Sequence, residues 1–475
     1  MSTINTNIPS LVAARVLTTN SASMNRTLQR LSTGLRINRG SDDPAGLIGS
    51  ETLRGEKTAI MAAIDNAGRA DNMINVAEGG LQEVSSLLVS LENLVDRSAS
   101  ESGLSAEELA ANQQQIDSIL STIDRIATTT TFAGTRLLDG SLDYTTSAVG
   151  TSAISDLTIN SARLAGSGYR AVVINVTTSA QTGALNYKLA SGSGIGGNRS
   201  ISISGSKGTE TFTFASGSSL TSIKSMINSF RDATGVSASV SGAVLKLRSV
   251  KYGADEFVKV EALSGGDFIA TEGSSTTDYG VDAVVTINGQ TANTKGLQAS
   301  VRSSGLDVDV TLTAAFAGAL TNKPKTFYIT AGGAKFNITP DVSAANQVAV
   351  GIRSIKTADL GDSVSGRLST LGSGQTNQLT SGNYATAQEI VRLASEQVAT
   401  LRGRLGATQQ TTIASTINSL KVAYENVSAA EGAIRDTDFA EETSNLTRSQ
   451  ILVQAATSTL QLANQAPQNI LALLR

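Results

Sequence analysis

Histidine and cysteine are both absent from the 475 residues of this chain. The commonest metal ligands, the usual general base and all thiol chemistry go with them. Most enzyme mechanisms thereby lose their main actors, and no cofactor, metal or catalytic residue is expected. No disulfide supports the fold, and a cysteine-free chain suits either redox compartment. Runs of lysine and arginine are missing too, and the net charge is only −3, so the electrostatic footprint of a nucleic-acid binder is not there. No apolar stretch reaches the roughly 18 residues that mark a membrane span. The start, Met1 to Asn20, mixes Ser, Thr and Asn with scattered Ile, Val and Leu. It lacks the basic start and unbroken apolar core of a cleavable signal peptide, so export, if it occurs, is expected by another route.

What is present is unevenly spread. The chain exceeds the usual ceiling for one hydrophobic core, so more than one domain is expected. The first aromatic residue is Phe132, and after Phe336 only Tyr384, Tyr424 and Phe439 follow. Both ends are rich in Ala, Leu, Gln, Asn and Glu, whereas residues 141–375 are rich in Gly, Ser, Thr and Val in short alternating runs. The pattern predicts helix, then strand, then helix.

Ala14, Leu17, Met24, Leu28, Leu31 and Leu35 fall at threes and fours, with Ser21 filling the remaining position of a heptad seam. Ile60, Ile64, Ala67, Ile74, Leu81, Val84, Leu88, Leu91 and Val95 continue the pattern with an irregularity near Ala77. A third run, Leu109, Ile116, Ile119, Ile123 and Ile126, follows a break at Gly103. Near the other end Ile390, Ala394, Val398 and Leu401 lead to Ile413, Ile417, Leu420, Tyr424, Val427 and Ile434. A last segment holds Leu446, Val453, Leu460, Ile470, Leu471 and Leu474. Each end's seam needs an apolar partner and the other end supplies one, so pairing of N- and C-terminal helices as a coiled coil or helical bundle is expected, with the middle as an insertion.

Both ends break at a similar distance from the terminus. Asp43 reads as an N-cap with Pro44 at the first helical position, and Asp438 as an N-cap with Glu441 at capping-box spacing. The arms so defined, 1–43 and 437–475, would each reach roughly 50 to 60 Å as helices. Their charges are few: before Arg26 there is only Arg15, and from Leu446 onward only Arg448 and Arg475. Such helices suit burial among many neighbours, and the expectation is that they order on assembly. A membrane-surface helix normally has a basic face and boundary aromatics, both lacking here. Residues 44–140 with 376–436 are expected to form a helical body, and 141–375 a β-rich outer region.

In that outer region, residues 201–263 read as a small α+β module: alternating Ile201 and Ile203, then Phe212 and Phe214, then Leu220, Ile223, Ile227 and Phe230 at helical spacing, then strand character again. Residues 280–352 read as mostly β, with Asn288 and Gly289 as a hairpin turn. Gly and Ser clusters at 191–197 and 272–276 read as connections. Asp255, Glu256 and Asp267 lack the spacing of a calcium loop and read as solvated surface. The triplet Asn337, Ile338, Thr339 fits a glycosylation acceptor but is followed by Pro340.

The ends resemble bacterial flagellins. The resemblance rests on Asn5, Thr6 and Asn7, on the run Leu31 to Asn38, on Asp42 to Leu47, on Ala77, Glu78, Gly79 and Leu81, and on the turn Phe132 to Gly140. It rests equally on Ile434 to Glu442 and on Ala463 to Leu474. Residues 201–263 are similar to a repeat module inserted in some flagellins and hook-associated proteins. The likeness implies an extracellular filament subunit that polymerises with itself: arms as an inner tube, the next helices around them, the middle outermost. It implies partners in the hook-filament junction proteins, the filament cap, an export chaperone at the C-terminal helix and the flagellar type III export apparatus. Assembly contacts are expected at Leu17, Met24, Leu28, Leu31, Leu35, Arg36, Asp42, Asp43, Arg435, Asp438, Phe439, Leu446, Val453, Leu460, Leu471 and Leu474. Glu83 and Ser85 replace basic residues of the pattern by which some flagellins stimulate an innate receptor, which counts against that activity. A hook-filament junction protein, and a secreted adhesin using the β-rich middle, are the alternatives.

Overall fold

The computed structural model describes residues 6–100, 105–164, 168–188, 195, 197–264, 276–303, 305–318, 324–343, 347–362 and 365–473, with side chains up to 465 in the last helix. The break at Gly103, Asp267 and most of the two Gly- and Ser-rich connections lie outside them. The chain has long helices at both ends and a β-rich middle, and divides into two compact units: Met1–Arg69 with Asn337–Val342 and Gln410–Arg475, and Ala70–Phe336 with Ser343–Gln409.

Helices α1 (Ile8–Thr33), α2 (Pro44–Ser98) and α3 (Ala106–Thr129) come first. Local chemistry sets their ends. Asn7 caps α1 by accepting from the Ser10 N–H, and Pro9 sits in the first turn, where its missing N–H is harmless. Ser105 and Glu108 form a reciprocal capping box on α3. Along α2, Ile60, Ala67, Ile74, Leu81, Val84, Leu88, Leu91 and Val95 are all nearly or fully buried, so its 3-4 repeat is a core stripe. On α3 the buried line runs through Gln113, Ile116, Leu120, Ile123 and Ala127. Ile119 and Ile126 flank it, half-buried.

The middle contains two separate cores. One is a sandwich. A five-stranded sheet is built on Arg170–Thr178 and Lys325–Ala331, a four-stranded sheet on Ile154–Ala162 and Leu306–Leu312. Alternate residues such as Val172, Ile174, Phe327 and Ile329 on the first, and Ile159, Val308 and Val310 on the second, meet in one cluster. The second core belongs to an α+β module in which α4 (Leu220–Ser229) packs Ile223 and Ile227 with Phe212, Phe214, Leu245 and Val258. The strands Ala184–Lys188 and Thr277–Tyr279 also join its sheets, so the module extends beyond 201–263 on both sides. It is inserted between sandwich strands, since Arg170–Thr178 pairs with Val284–Ile287 across it. Two short helices, α5 (Arg231–Thr234) and α6 (Ala314–Ala317), complete this region. Asn288 and Gly289 have positive φ, 50° and 80°, as a two-residue hairpin turn requires. Of the acidic residues near 255, Asp255 pairs with Lys295 and Glu256 accepts from the Ser206 hydroxyl.

The chain returns in α7 (Tyr384–Ala407), α8 (Ser415–Arg435) and α9 (Phe439–Leu473). Ile390, Ala394, Val398, Leu401 and Leu405 form the buried stripe of α7. Arg402 pairs with Glu78 at 2.7 Å and Gln388 with Asp96 at 3.0 Å, laying α7 along α2. The next fully buried apolar residue after Leu405 is Ile413, eight positions on instead of seven. The intervening Thr408–Ala414 is π-helix, which absorbs the extra residue. In the first unit, Ile60, Ala63 and Leu420 form a small core with Tyr424 and Val427 packed against it.

Candidate assembly site: the paired arms and their elbow

Helix α1 ends at Gly34, whose φ of 71° lets its N–H turn back to the Arg30 carbonyl. The next residues meet the start of the C-terminal arm as a short antiparallel bridge. The Arg36 N–H donates to the Arg435 carbonyl at 2.7 Å and the Thr437 N–H to the Gly34 carbonyl at 3.0 Å. Leu35 faces Asp436. The Arg36 guanidinium adds two bonds to the Ile434 carbonyl, at 2.6 and 3.2 Å, covering a helix C-terminal acceptor with a cation. Two chain ends far apart in sequence are thereby joined by backbone.

Around this bridge Asp42, Asp43 and Asp438 have local tasks. Asp42 accepts from the N–H groups of Arg39 at 2.9 Å and Asn38 at 3.2 Å, closing the turn. The Arg39 N–H is the main reason its carboxyl sits below the ordinary value. Asp43 caps α2, accepting from the Gly46 N–H at 2.9 Å. A Cβ on Gly46 would run into the Asp43 carboxylate and the Ile37 side chain, which is why a glycine stands there. Asp438 caps α9 through the N–H groups of Ala440 and Glu441, at 2.8 and 3.3 Å. Arg435 reaches Glu51 at 2.9 Å, and Lys57 pairs with Glu431 at 2.9 Å, tying α8 to α2 beside the elbow. Phe439 is exposed.

The arms run antiparallel from this elbow. Asn7 donates to the Ala463 carbonyl at 2.8 Å, Ser10 to the Asn464 side chain at 2.7 Å, Asn20 to the Leu452 carbonyl at 3.4 Å, and Arg30 pairs with Glu442 at 3.9 Å. Between them the buried residues are small or polar: Ala13 and Thr27 on α1, Glu442, Ser449 and Ala456 on α9. Leu17, Met24, Leu31, Leu446, Val453 and Leu460 are half-buried on the same seam, and Leu35 is half-buried at the bridge. Leu28 is 43% exposed and lies off the seam, with Ala14 and Ser21 half-buried beside it. The Leu471 side chain and Leu474 fall outside the described residues.

Large apolar side chains point the other way. Ile8, Leu11, Val12 and Val16 on α1, and Ile451, Leu452 and Leu462 on α9, are all exposed. Sequence periodicity alone passes over these residues, as it passes over Arg30 and Glu442, because they interrupt or flank the apolar repeat. The signal that finds them is the mismatch itself, an arm nearly without charge whose bulky residues outnumber the places on a two-helix seam. A pair of helices that buries alanine, threonine and serine and exposes isoleucine and leucine gains little by folding alone and much by acquiring further neighbours.

Comparison with known proteins bears on this geometry. Residues 4–143 match the bacterial flagellin N-terminal helical region, 388–474 the C-terminal helical region, and 200–251 the flagellin hook IN motif. A B-type flagellin of Pseudomonas aeruginosa is 30% identical over 100% of this chain and 99% of the relative. Flagellin C of Vibrio cholerae is 28% identical over 99% of each. Among solved structures, FliC from Burkholderia pseudomallei aligns with 72% of this chain and 98% of that one at 14% identity, with a TM-score of 0.24, too low to carry weight.

Proposed function

The chain belongs to the bacterial flagellins, and from that premise we propose how its parts serve the filament. It is a structural subunit that polymerises into the extracellular filament of the bacterial flagellum for swimming motility. In our reading the arms, 1–43 and 437–475, form the innermost layer. Residues 44–140 with 376–436 form the helical body around it, and 141–375 face outward. Leu17, Met24, Leu31, Leu446, Val453 and Leu460 serve the contact between the two arms of one subunit. Leu28 and Phe439, already exposed, meet neighbouring subunits. Arg36, Asp42, Asp43, Arg435 and Asp438 hold the angle between arm and body. Leu471 and Leu474 extend the same apolar surface.

The observation that carries this reading is the outward-facing apolar surface of the arms, which burial among subunits would satisfy. No catalytic role is assigned. The same reading gives the subunit an export chaperone, the type III export apparatus, the junction proteins and the filament cap as partners. Among the described residues no helix is long and apolar enough to cross a membrane. The test is electron microscopy of monomer mixed with filament seeds, beside a chain lacking residues 1–43 and 437–475. Long filaments are expected from the intact chain and none from the shortened one; filaments from both would sink the assignment to the arms.

A further inference from the structure

The apolar repeat does not by itself say which level of α1 faces which level of α9, because both helices repeat every seven residues. The pairings of Asn7 with Ala463, Asn20 with Leu452 and Arg30 with Glu442 define one antiparallel register. In it the seam positions meet large against small: Leu17 stands level with Ala456, Ala13 with Leu460, Met24 with Ser449 and Thr27 with Leu446. A slide of half a heptad would set Leu17 against Leu460 and Met24 against Val453 while leaving Thr27 opposite Ser449. Overfilled levels would then alternate with underfilled ones, and both are destabilising. A slide of a whole heptad is different, since it keeps large against small: Met24 meets Ala456 and Thr27 meets Val453. What it destroys is the level of Glu442, whose side chain is 7% exposed and whose cationic partner is Arg30 at 31%. Slid one way Glu442 passes the end of α1; slid the other it faces Met24. In the second slide Glu442 stays covered by α1 without its cation, which is costly in a seam this poor in other energy; in the first it loses both its cover and its pair.

We propose that Glu442, paired with Arg30, is the register-determining side chain of the terminal arms: side-chain size rejects half-heptad slips and this ion pair, beside the elbow bridge, rejects whole-heptad slips. A single polar position that fixes register at some cost in stability is a known device of helical pairs. The elbow bridge lies about one turn from Arg30 and Glu442, so bridge and ion pair hold the same inner end and a whole-heptad slip must break both. The inference rests on the reading that the arms pair in the filament and names what makes that pairing unique.

The absence of native cysteine makes the test clean. Two full-length chains are built, one with Ala13→Cys and Leu460→Cys, which share a level in the observed register, the other with Ala13→Cys and Val453→Cys, which share a level only after the heptad slip that sets Glu442 against Met24. Each is polymerised on seeds, pelleted and oxidised. The first pair is expected to cross-link at least about tenfold more than the second. Glu442→Leu is expected to raise the slipped-pair yield several-fold, and the exchange of charges, Arg30→Glu with Glu442→Arg, to restore the original ratio. Because the exchanged chain keeps the pair, it decides the matter even where Glu442→Leu does not polymerise: a slipped-pair yield that stays high in it overturns the proposal. Pelleted filaments with the same ratio for the parent chain and for Glu442→Leu would overturn it as well. Failure of the parent chain to pellet would count against the arm-assembly reading instead.

Discussion

In the sandwich of the middle region Val172, Ile174, Phe327 and Ile329 are each at most 1% exposed, whereas in the arms Ile8, Leu11 and Leu462 are 62%, 64% and 69% exposed. The sandwich alternates apolar and polar residues along each strand and closes its apolar face against a second sheet of the same chain. The arms have comparable apolar content but only one helix apiece to set against the other, so part of that content has nowhere to go. On the proposed reading, completeness of burial separates what folds for its own sake from what folds for its neighbours. The elbow lies in between, joined by backbone hydrogen bonds and helix caps yet with few buried side chains besides Ile37.

This contrast can be attacked from both sides. Phe327→Ala should cost the monomer about 3 to 5 kcal/mol by opening a cavity in a core complete without partners, read as a lower denaturant midpoint at unchanged slope. Equal stability would mean that the sandwich is not self-sufficient. Replacing Leu11 and Leu462 together by Ser should behave oppositely. Monomer unfolding should move by less than about 0.5 kcal/mol, while the critical concentration for polymerisation rises at least about tenfold, since each buried leucine contributes about 1.5 to 3 kcal/mol. A filament that tolerates both changes would contradict the outward face as a contact surface.

Effects at the elbow should be smaller. Asp43→Ala should cost about 1 kcal/mol through the lost cap, and Asp43→Asn should recover most of it; circular dichroism during urea unfolding of the filament reads both. Asp42 should make the elbow acid-sensitive. Its folded carboxyl lies below the ordinary 3.8, so its stabilisation is fully present above that value and is lost as pH falls through the lower folded one. Asp42→Asn should remove this part of the acid response, seen as a flatter dependence of elbow amide exchange on pH below 3.8.

The stripe of α2 and the starts of α2 and α9 are readable from sequence because their signals are local. Ile60 to Val95 declare a stripe at threes and fours, and Asp43 with Pro44 and Asp438 with Glu441 declare two helix starts. The phase of the arm seam is not readable in the same way. Ala14, Ser21 and Leu28 continue the apolar repeat, yet the pair buries Ala13 and Thr27, with Asn20 half-buried between them. The rule that the bulkiest face is the buried face holds only when the partner is in the same chain. Nor does alternation within Arg170–Thr178 reveal that it pairs with Val284–Ile287 across an inserted module, since strand partners are chosen by packing between distant segments. The eight-residue step from Leu405 to Ile413 is visible in the sequence, but only its surroundings decide that a π-turn takes up the extra residue.

The most direct test of the account is amide hydrogen exchange on the full chain as monomer and as filament. The arms, 8–33 and 439–465, should exchange rapidly in the monomer and slow by at least about a hundredfold in the filament, while the strands 170–178 and 325–331 are equally protected in both. Arms already as protected in the monomer as in the filament would contradict the claim that their outward apolar faces fold for their neighbours.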